Sequence, residues 1–489
     1  MSDLSRLILE AGVVGAGGAG FPTHVKYSGG AEIFLVNGAE CEPLLKTDQY
    51  IMARFADRLC LAALAVKEHL GAARVIFALK EHYHEQIGAL KTAAKKIAGN
   101  GGIEFCLLDS VYPAGDEQVL LYEAAGLTVP PGGLPLAAGA VVSNAGTLLG
   151  VADALEGKPV THKYLTVAGA VERPSVLHVP IGTGFEECIR LAGGPDRKAA
   201  GAGCCVIAGG PVMGRPVSPA EMGAEVVTKT TSGIIVLPED HYLERRQRLS
   251  PVHMKNRARA SCIQCSICSD LCPRRLLGSP LRPHLVMRAF GSAPDTDALL
   301  ETEAARNAML CCECGICEIY ACPMELSPCR INILVKQELR RRGIRPEFPP
   351  AGPPCPDRPW RRIPSERMAA RAGVLEYYPA EGYGSLSGAG RCGDPGGYLR
   401  RDPGKKPLGN PPGQFVEFAD CARVSIPLQM HTGAAAVPCV APGRRVRAGE
   451  LVADIPGNSL GARVHASIGG LVTGIEGGRI IIEAEGRAP

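Results

Sequence analysis

CIQCSICSDLCP, residues 262–273, and CCECGICEIYACP, residues 311–323, decide how the rest of this chain is read. Cys262, Cys265, Cys268 and Cys272 stand at C-x2-C-x2-C-x3-C with Pro273 next, the spacing by which three thiolates hold three corners of a 4Fe-4S cube. The fourth cysteine of such a run ligates the other cube in two-cluster proteins. On that pattern Cys272 joins Cys311, Cys314 and Cys317, and Cys322 joins Cys262, Cys265 and Cys268. The second run has four residues, not three, before its last cysteine, which predicts a one-residue bulge ahead of Cys322 and Pro323. Cys311 and Cys312 are adjacent and either could start that run, although only Cys311 gives the x2 spacing. Paired C-x2-C motifs also hold zinc, but two runs of three cysteines, each closed by Cys-Pro, offer zinc more ligands than it uses. Helical periodicity in RPHLVMRAF and TDALLETEAARNAML, between the runs, predicts a mainly helical module.

The whole chain has 489 residues, enough for three or four domains at about 100–200 residues each. Its 53 basic and 49 acidic residues are too balanced to argue for a nucleic-acid partner. Twenty cysteines without a small disulfide scaffold indicate a reducing compartment. The opening MSDLSRLILEAG makes a poor export signal, and no run reaches the roughly 18 apolar residues of a transmembrane segment. The expected location is cytoplasmic, within a microcompartment or peripheral to a membrane complex.

Near the start, GAGGAGFPTHVK (residues 15–26) follows a helical pattern. Gly15, Gly17 and Gly20 satisfy G-x-G-x-x-G, yet a dinucleotide fingerprint needs a strand before the glycines and an unbroken helix after them, and Pro22 forbids the latter. The glycines still allow backbone amides to approach an anionic or planar ligand, with Lys26 as a counter-charge. Strand 32–36 ending in NGAECEP, a helical stretch from about Tyr50 to Leu70, strand ARVIFALK, helix EQIGALKTAAKKIA and strand IEFCLLD alternate as in a parallel α/β sheet. Ligands sit beyond the carboxyl ends of such strands, where Asn37, Glu40 and Glu42 stand.

GAGGAGFPTHVK, NGAECEP, YPAGDEQ and SNAGT resemble the flavin and NADH loops of the NADH-binding flavoprotein subunit of complex I and its relatives, the C subunit of the Rnf complex and the microcompartment cobalamin reductases. The resemblance runs nearly the length of the chain. It implies that Gly15, Gly17, Gly18, Gly20, Lys26, Asn37, Glu40, Tyr112, Gly115, Asp116, Asn144 and Thr147 surround FMN, and that Phe21, Glu42 and Glu117 face NADH. Where the complex I subunit has NADEGEP this chain has Ala39, and Ser143 stands where paired asparagines begin.

The resemblance extends to a soluble-ligand-binding β-grasp domain over the strands from Tyr164 to about Pro238, where Cys204 and Cys205 are expected to be buried, and to a biotinyl-like β barrel or sandwich at the C-terminal end. No lysine sits where biotin or lipoate would be attached to the latter. In the Rnf subunit that domain precedes the flavin domain, whereas in the microcompartment reductases it follows, as here.

The expected fold is thus multidomain α/β plus β: residues 1–155 a parallel α/β FMN/NADH domain, 160–240 the β-grasp, 250–345 the helical two-cluster ferredoxin module, 346–413 a Pro/Gly-rich linker with one docked helix anchored by Trp360, and 414–489 the barrel or sandwich. The expected activity is that of an NADH-oxidising flavo-iron-sulfur oxidoreductase. Electrons pass from NADH through FMN and two 4Fe-4S clusters to a redox partner: a cobalamin-processing enzyme, a ferredoxin or a reductase subunit. Rival readings are a flavin-free iron-sulfur relay adaptor, a cobalamin-binding scaffold, and a soluble NADH-input subunit of a larger reductase complex.

Overall fold

The computed structural model describes residues 3–99, 101–196, 203–377, 414–418 and 421–484. Strands β1 (Ile33–Asn37), β2 (Arg74–Lys80), β3 (Glu104–Leu108) and β5 (Ala140–Asn144) form a parallel sheet in the order β3-β2-β1-β5, as the alternating pattern predicts; a short β4 (Val111–Tyr112) stands apart. The sequences of β1, β2 and β5 are almost continuously apolar because both faces are covered, whereas the edge strand β3 is partly exposed. Phe34, Val36, Phe77 and Val141 point to one core, and Ile33, Leu35, Ile76 and Val142 to the other. The predicted helix from Tyr50 to Leu70 is two helices, Thr47–Arg54 and Ala56–Leu70, meeting at Phe55.

The second layer is a six-stranded sheet in the order β12-β7-β6-β10-β8-β9, made of β6 (His162–Gly169), β7 (Ser175–Pro180), β8 (Cys204–Ala208), β9 (Arg215–Val217), β10 (Gly233–Pro238) and β12 (Gln414–Glu417). A hairpin, helix Phe185–Leu191 and a parallel β6–β10 pairing give it the expected grasp-like form. Cys205 is buried as expected, whereas Cys204 is exposed at the strand's start. Strand β12 departs from the expected boundary at 414. It extends the second sheet along the free edge of β7, and Phe415 stacks on Tyr50 at 4.7 Å.

Helices Pro251–Ser261, Pro283–Ser292 and Pro328–Arg341 carry the cysteine module. Beyond it, the expected linker is in part packed structure. Strand β11 (Ile363–Pro364) pairs with β4, and helix Ser365–Arg371 buries Met368 and Ala369 in the core beneath the second sheet. Residues 378–413 of that stretch lie outside the described residues. Trp360 does not anchor it: the side chain is 87% exposed, and the ion pair from Arg358 to Glu123 at 2.5 Å holds the preceding turn instead.

The last domain is a sandwich of two sheets, one of β13 (Arg423–Pro427), β19 (Arg479–Glu483), β18 (Gly470–Glu476) and β15 (Arg445–Val446) in that order, the other of β14 (Val437–Pro438), β16 (Leu451–Asp454) and β17 (Val464–His465). Lys229 ties three units together, its buried ammonium donating to the carbonyls of Gly12 and Arg463, both at 2.6 Å. His431 and His465 are buried beside it in the sandwich, His431 Nε2 meeting the Ala434 carbonyl at 2.9 Å. Among the described residues no helix is long and apolar enough to cross a membrane.

Candidate flavin cleft and cysteine relay

The glycine-rich segment is a closed loop, with the Gly15 amide donating to Phe21 O at 2.9 Å and the Gly20 amide to Gly15 O at 3.2 Å. Gly18 has φ +107°, a left-handed conformation that a side chain rarely adopts, and nothing lies within 4 Å of where its Cβ would stand. Thr147 Oγ1 pins the loop by accepting from the Ala16 amide at 2.8 Å. A cavity of about 700 Å3 opens before it, above the carboxyl ends of β1 and β5.

Two helices point their N-termini at this cavity, each capped by a residue singled out in the sequence. Asn144 Oδ1 accepts from the amides of Gly146 and Thr147, and Asp116 Oδ1 from those of Gln118 and Val119. Such caps leave the remaining amides at the helix start available to an anion. Asn37 holds the next loop by donating to Gly115 O at 2.9 Å. Glu40, in a left-handed conformation, accepts from the amides of Asp48 and Gln49 and fixes the start of helix Thr47–Arg54. Lys26 and Glu117 pair at 2.8 Å on the cavity wall.

Glu42 is held from two sides. Its Oε1 accepts from Tyr112 at 3.1 Å, and its Oε2 from the amides of Val212 at 2.9 Å and Met213 at 3.4 Å, in the turn between β8 and β9. Burial pushes its carboxyl up to about 7 despite these bonds. Asp48, half-buried, also rises to about 7 through desolvation and the neighbouring Glu40 carboxylate. Gly15, Gly17, Phe21, Gly115 and Thr147 line the cavity with these groups, whereas Gly18, Gly20 and Tyr112 do not. A Cβ on Gly20 would stand 3.0 Å from Thr230 and 3.2 Å from His431, so that glycine permits domain packing. Tyr112 is buried and donates to the Cys314 carbonyl at 2.7 Å, joining the α/β domain to the cysteine module. The two departures from the complex I pattern also have places. Ala39 is fully buried in the core under the sheet, off the cavity wall, and Ser143 Oγ meets the Tyr27 hydroxyl at 2.8 Å.

Sequence reasoning missed Asp48, Lys163 and the part of the wall made by Cys312 and Cys314. Lys163 reaches in from β6 and donates to Ala16 O at 3.1 Å, burial lowering its pKa to about 8. No local motif marks it, because strand and loop are 147 residues apart.

The cysteines fall into two groups. Cys262, Cys265, Cys268 and Cys322 line one small cavity, which unites the first run with the last cysteine of the second. Cys272, Cys311, Cys314 and Cys317 are buried inside the module. The two runs fold alike: Gln264 and Ser266 are left-handed two and four positions after Cys262, and Glu313 and Gly315 are left-handed two and four positions after Cys311. The expected bulge is a single π turn over Ile316–Tyr320, the usual form of a one-residue insertion in a helix. Donors meet the sulfurs in both groups: Gln264 Nε2 at Cys262 (3.0 Å), the Leu326 amide at Cys322 (3.3 Å) and the Glu313 amide at Cys311 (3.3 Å). Such bonds stabilise thiolates bound to iron. Cys329, a spare thiol by sequence, sits against the sulfurs of Cys311 and Cys317. Arg274, just beyond Cys272, pairs with Asp116 at 2.8 Å, with both side chains largely buried.

Family comparisons agree with this arrangement. Residues 8–153 match the Nuo51 FMN-binding domain, 164–216 the SLBB domain, 261–327 a 4Fe-4S dicluster domain and 414–486 the RnfC barrel sandwich hybrid domain. An FMN-binding α/β domain joined to a 4Fe-4S module defines a flavo-iron-sulfur electron-transfer oxidoreductase. A protein of Salmonella typhimurium named cobalamin reductase PduS is 40% identical over 476 residues, 97% of this chain and 94% of its own length. A protein of the same name from Citrobacter freundii is 40% identical over 96% of this chain and 93% of its own length. This chain belongs to the cobalamin reductase PduS family. A component of a proton-translocating ferredoxin:NAD(+) oxidoreductase complex from Clostridium ljungdahlii is 31% identical over 287 residues, 58% of each chain.

Proposed function

We propose that the chain is an NADH oxidase module with FMN in the glycine-rich cleft and two 4Fe-4S clusters in the cysteine module. When bound, FMN accepts a hydride from NADH and releases electrons one at a time. The observation that carries this reading is the shared wall: the cavity before the glycine loop is lined on its far side by Cys312 and Cys314 of the second cysteine run.

Gly15, Gly17, Asn37, Glu40, Gly115, Asp116, Asn144 and Thr147 shape the flavin site, with Lys26 as its cation. Gly18, Gly20 and Tyr112 support it from outside the wall. Phe21, Glu42 and Glu117 are the NADH-facing residues, and Glu42 Oε1 retains capacity for a further hydrogen bond. Cys311, Cys314, Cys317 and Cys272 hold the inner cluster, since the repeated left-handed positions set Cys311 in register with Cys262. Cys262, Cys265, Cys268 and Cys322 hold the outer one. Arg274 and Tyr112 keep the inner cysteines against the cleft. The acceptor named for the relatives, cobalamin, is the proposed final destination of the electrons.

The test is anaerobic purification followed by stopped-flow mixing with NADH. Bleaching of bound flavin followed by bleaching of the iron-sulfur absorbance is expected. Protein with full iron and no flavin, inert to NADH after reconstitution with FMN, would establish the relay adaptor instead.

A further inference from the structure

The two cysteine groups differ in exposure in a way that gives the relay a direction and an exit. Cys272, Cys311, Cys314 and Cys317 are buried, whereas Cys265 is exposed and Cys262, Cys268 and Cys322 are partly so. The inner group meets the flavin cleft, so the outer group is the one that reaches solvent. Apolar side chains stand among its cysteines: Ile263 is 63% exposed, Ile267 39% and Met324 38%. Exposed apolar residues clustered in this way mark an interaction site.

The rim of this patch is basic. From Pro251 to Ser292 the sequence has seven lysines and arginines against one acidic residue, Asp270, and the exposed Glu325 beside Met324 is the other acidic group next to the patch, which leaves the rim net positive. Arg257 is bonded to the carbonyls of Met324 and Glu325, which places its guanidinium beside the patch. Arg288 is exposed one helical turn beyond His284, which lines the outer cysteine cavity, and Arg259 is exposed on the adjoining helix. Two of the seven charges, Arg274 and Arg275, are matched by Asp116 and Asp270. Arg257 is satisfied by carbonyls and keeps its full charge for a partner.

We infer that this face docks a small acidic one-electron carrier protein, the apolar centre seating it over the outer cluster and the arginines steering its approach. The inference rests on the two-cluster reading above. Each encounter moves one electron from the outer cluster to the carrier. NADH supplies two electrons and leaves NAD+ and one proton, so one NADH serves two encounters. Electrostatic complementarity of this kind acts mainly on the association rate and fades with added salt.

The experiment uses the holoprotein reduced by NADH without oxygen, with acidic cytochrome b5 and basic cytochrome c as probes. Cytochrome b5 should be reduced faster at low ionic strength, with a rate that falls as salt rises. Arg288→Glu combined with Arg257→Gln should slow cytochrome b5 reduction about tenfold or more and speed that of cytochrome c. Flavin reduction by NADH, iron content and both cluster spectra should stay unchanged, and Arg288→Glu alone should show the same trend if the double variant folds poorly. A cytochrome b5 rate indifferent to salt and to both variants would overturn the inference. Parallel loss of hydroxocobalamin reduction would make the face a corrinoid site, and dissociation of a wild-type dimer by the variants would make it a self-contact; either result also overturns it. If NADH fails to reduce the clusters, the underlying electron-transfer reading falls, which is seen before any acceptor is added, and dithionite-reduced protein still tests the face.

Discussion

Replacing Glu42 separates its structural from its chemical role. Glu42→Ala leaves the amides of Val212 and Met213 without their acceptor, while the single Tyr112 hydroxyl hydrogen keeps the nearer Cys314 carbonyl. Only the Val212 amide is a buried donor left unpaired, since Met213 is exposed and water takes its bond, so the cost is about 1–3 kcal/mol. Glu42→Gln keeps an oxygen toward the two amides and offers its NH2 to the Tyr112 oxygen, whose hydrogen remains on Cys314 O. Its effect depends on pH. The Glu42 carboxyl is held up to about 7 against an ordinary 4.5, so between those values the folded chain keeps a proton that the unfolded chain has released. Stability from this group is therefore full below about pH 4.5 and declines as pH rises to 7. Glutamine mimics the protonated form at every pH. Glu42→Gln should match wild type at pH 5 and exceed it by about 1–2 kcal/mol at pH 8, a discounted share of the roughly 3 kcal/mol that the full shift represents. Thermal unfolding midpoints at the two pH values, with hydrogen exchange at residues 210–214, measure both effects. Flavin should stay bound in Glu42→Gln while its reduction by NADH slows. A Glu42→Ala variant as stable as wild type, or a Glu42→Gln variant less stable at pH 8 than at pH 5 relative to wild type, would refute the reasoning.

Anaerobically purified protein should contain close to eight irons and eight acid-labile sulfides per chain, because eight cysteines are matched to two cubes; zinc without iron after reconstitution contradicts this. Cys268→Ser should alter the spectrum of the outer cluster and Cys272→Ser that of the inner one, as electron paramagnetic resonance would resolve. Lys26→Ala should weaken flavin retention by about ten- to a hundredfold, the loss of one charge-assisted bond of about 1.5–3 kcal/mol, read by equilibrium dialysis of FMN. Trp360→Ala should move the unfolding midpoint negligibly, within about 0.5 kcal/mol, since the ring is 87% exposed.

What the sequence made legible was local. Continuous apolar runs fix β1 and β2 as strands covered on both faces, and an extra residue between Cys317 and Cys322 announces a bulge, which the structure forms as a π turn. Asn144 and Asp116 were marked only as flavin neighbours, through the family resemblance, and their work as helix caps came with the structure. What escaped was set by contacts between distant segments. Lys163 is an unmarked lysine in an apolar strand until β6 is seen beneath the glycine loop. Proline and glycine content marked residues 346–413 as a linker with one docked helix; the helix is there, Ser365–Arg371, but the contacts that dock it, Ile363 on Tyr112 and Ser365 on Ser110, join segments more than 250 residues apart. The expectation for Trp360 failed because rarity and size predict burial only where the backbone turns the ring inward. Here a Pro-containing turn is held by the arginine before it.

The sandwich also reaches back to the beginning of the chain. Thr432 donates through its amide to Gly20 O at 2.9 Å and through its hydroxyl to Ala19 O at 3.0 Å, and Lys229 bonds at once to Gly12 and to Arg463. The polypeptide is linear in sequence but its domains close a ring in space. A ring has no privileged place for the break, so the sandwich can be encoded before the flavin domain or after it while touching the same loop.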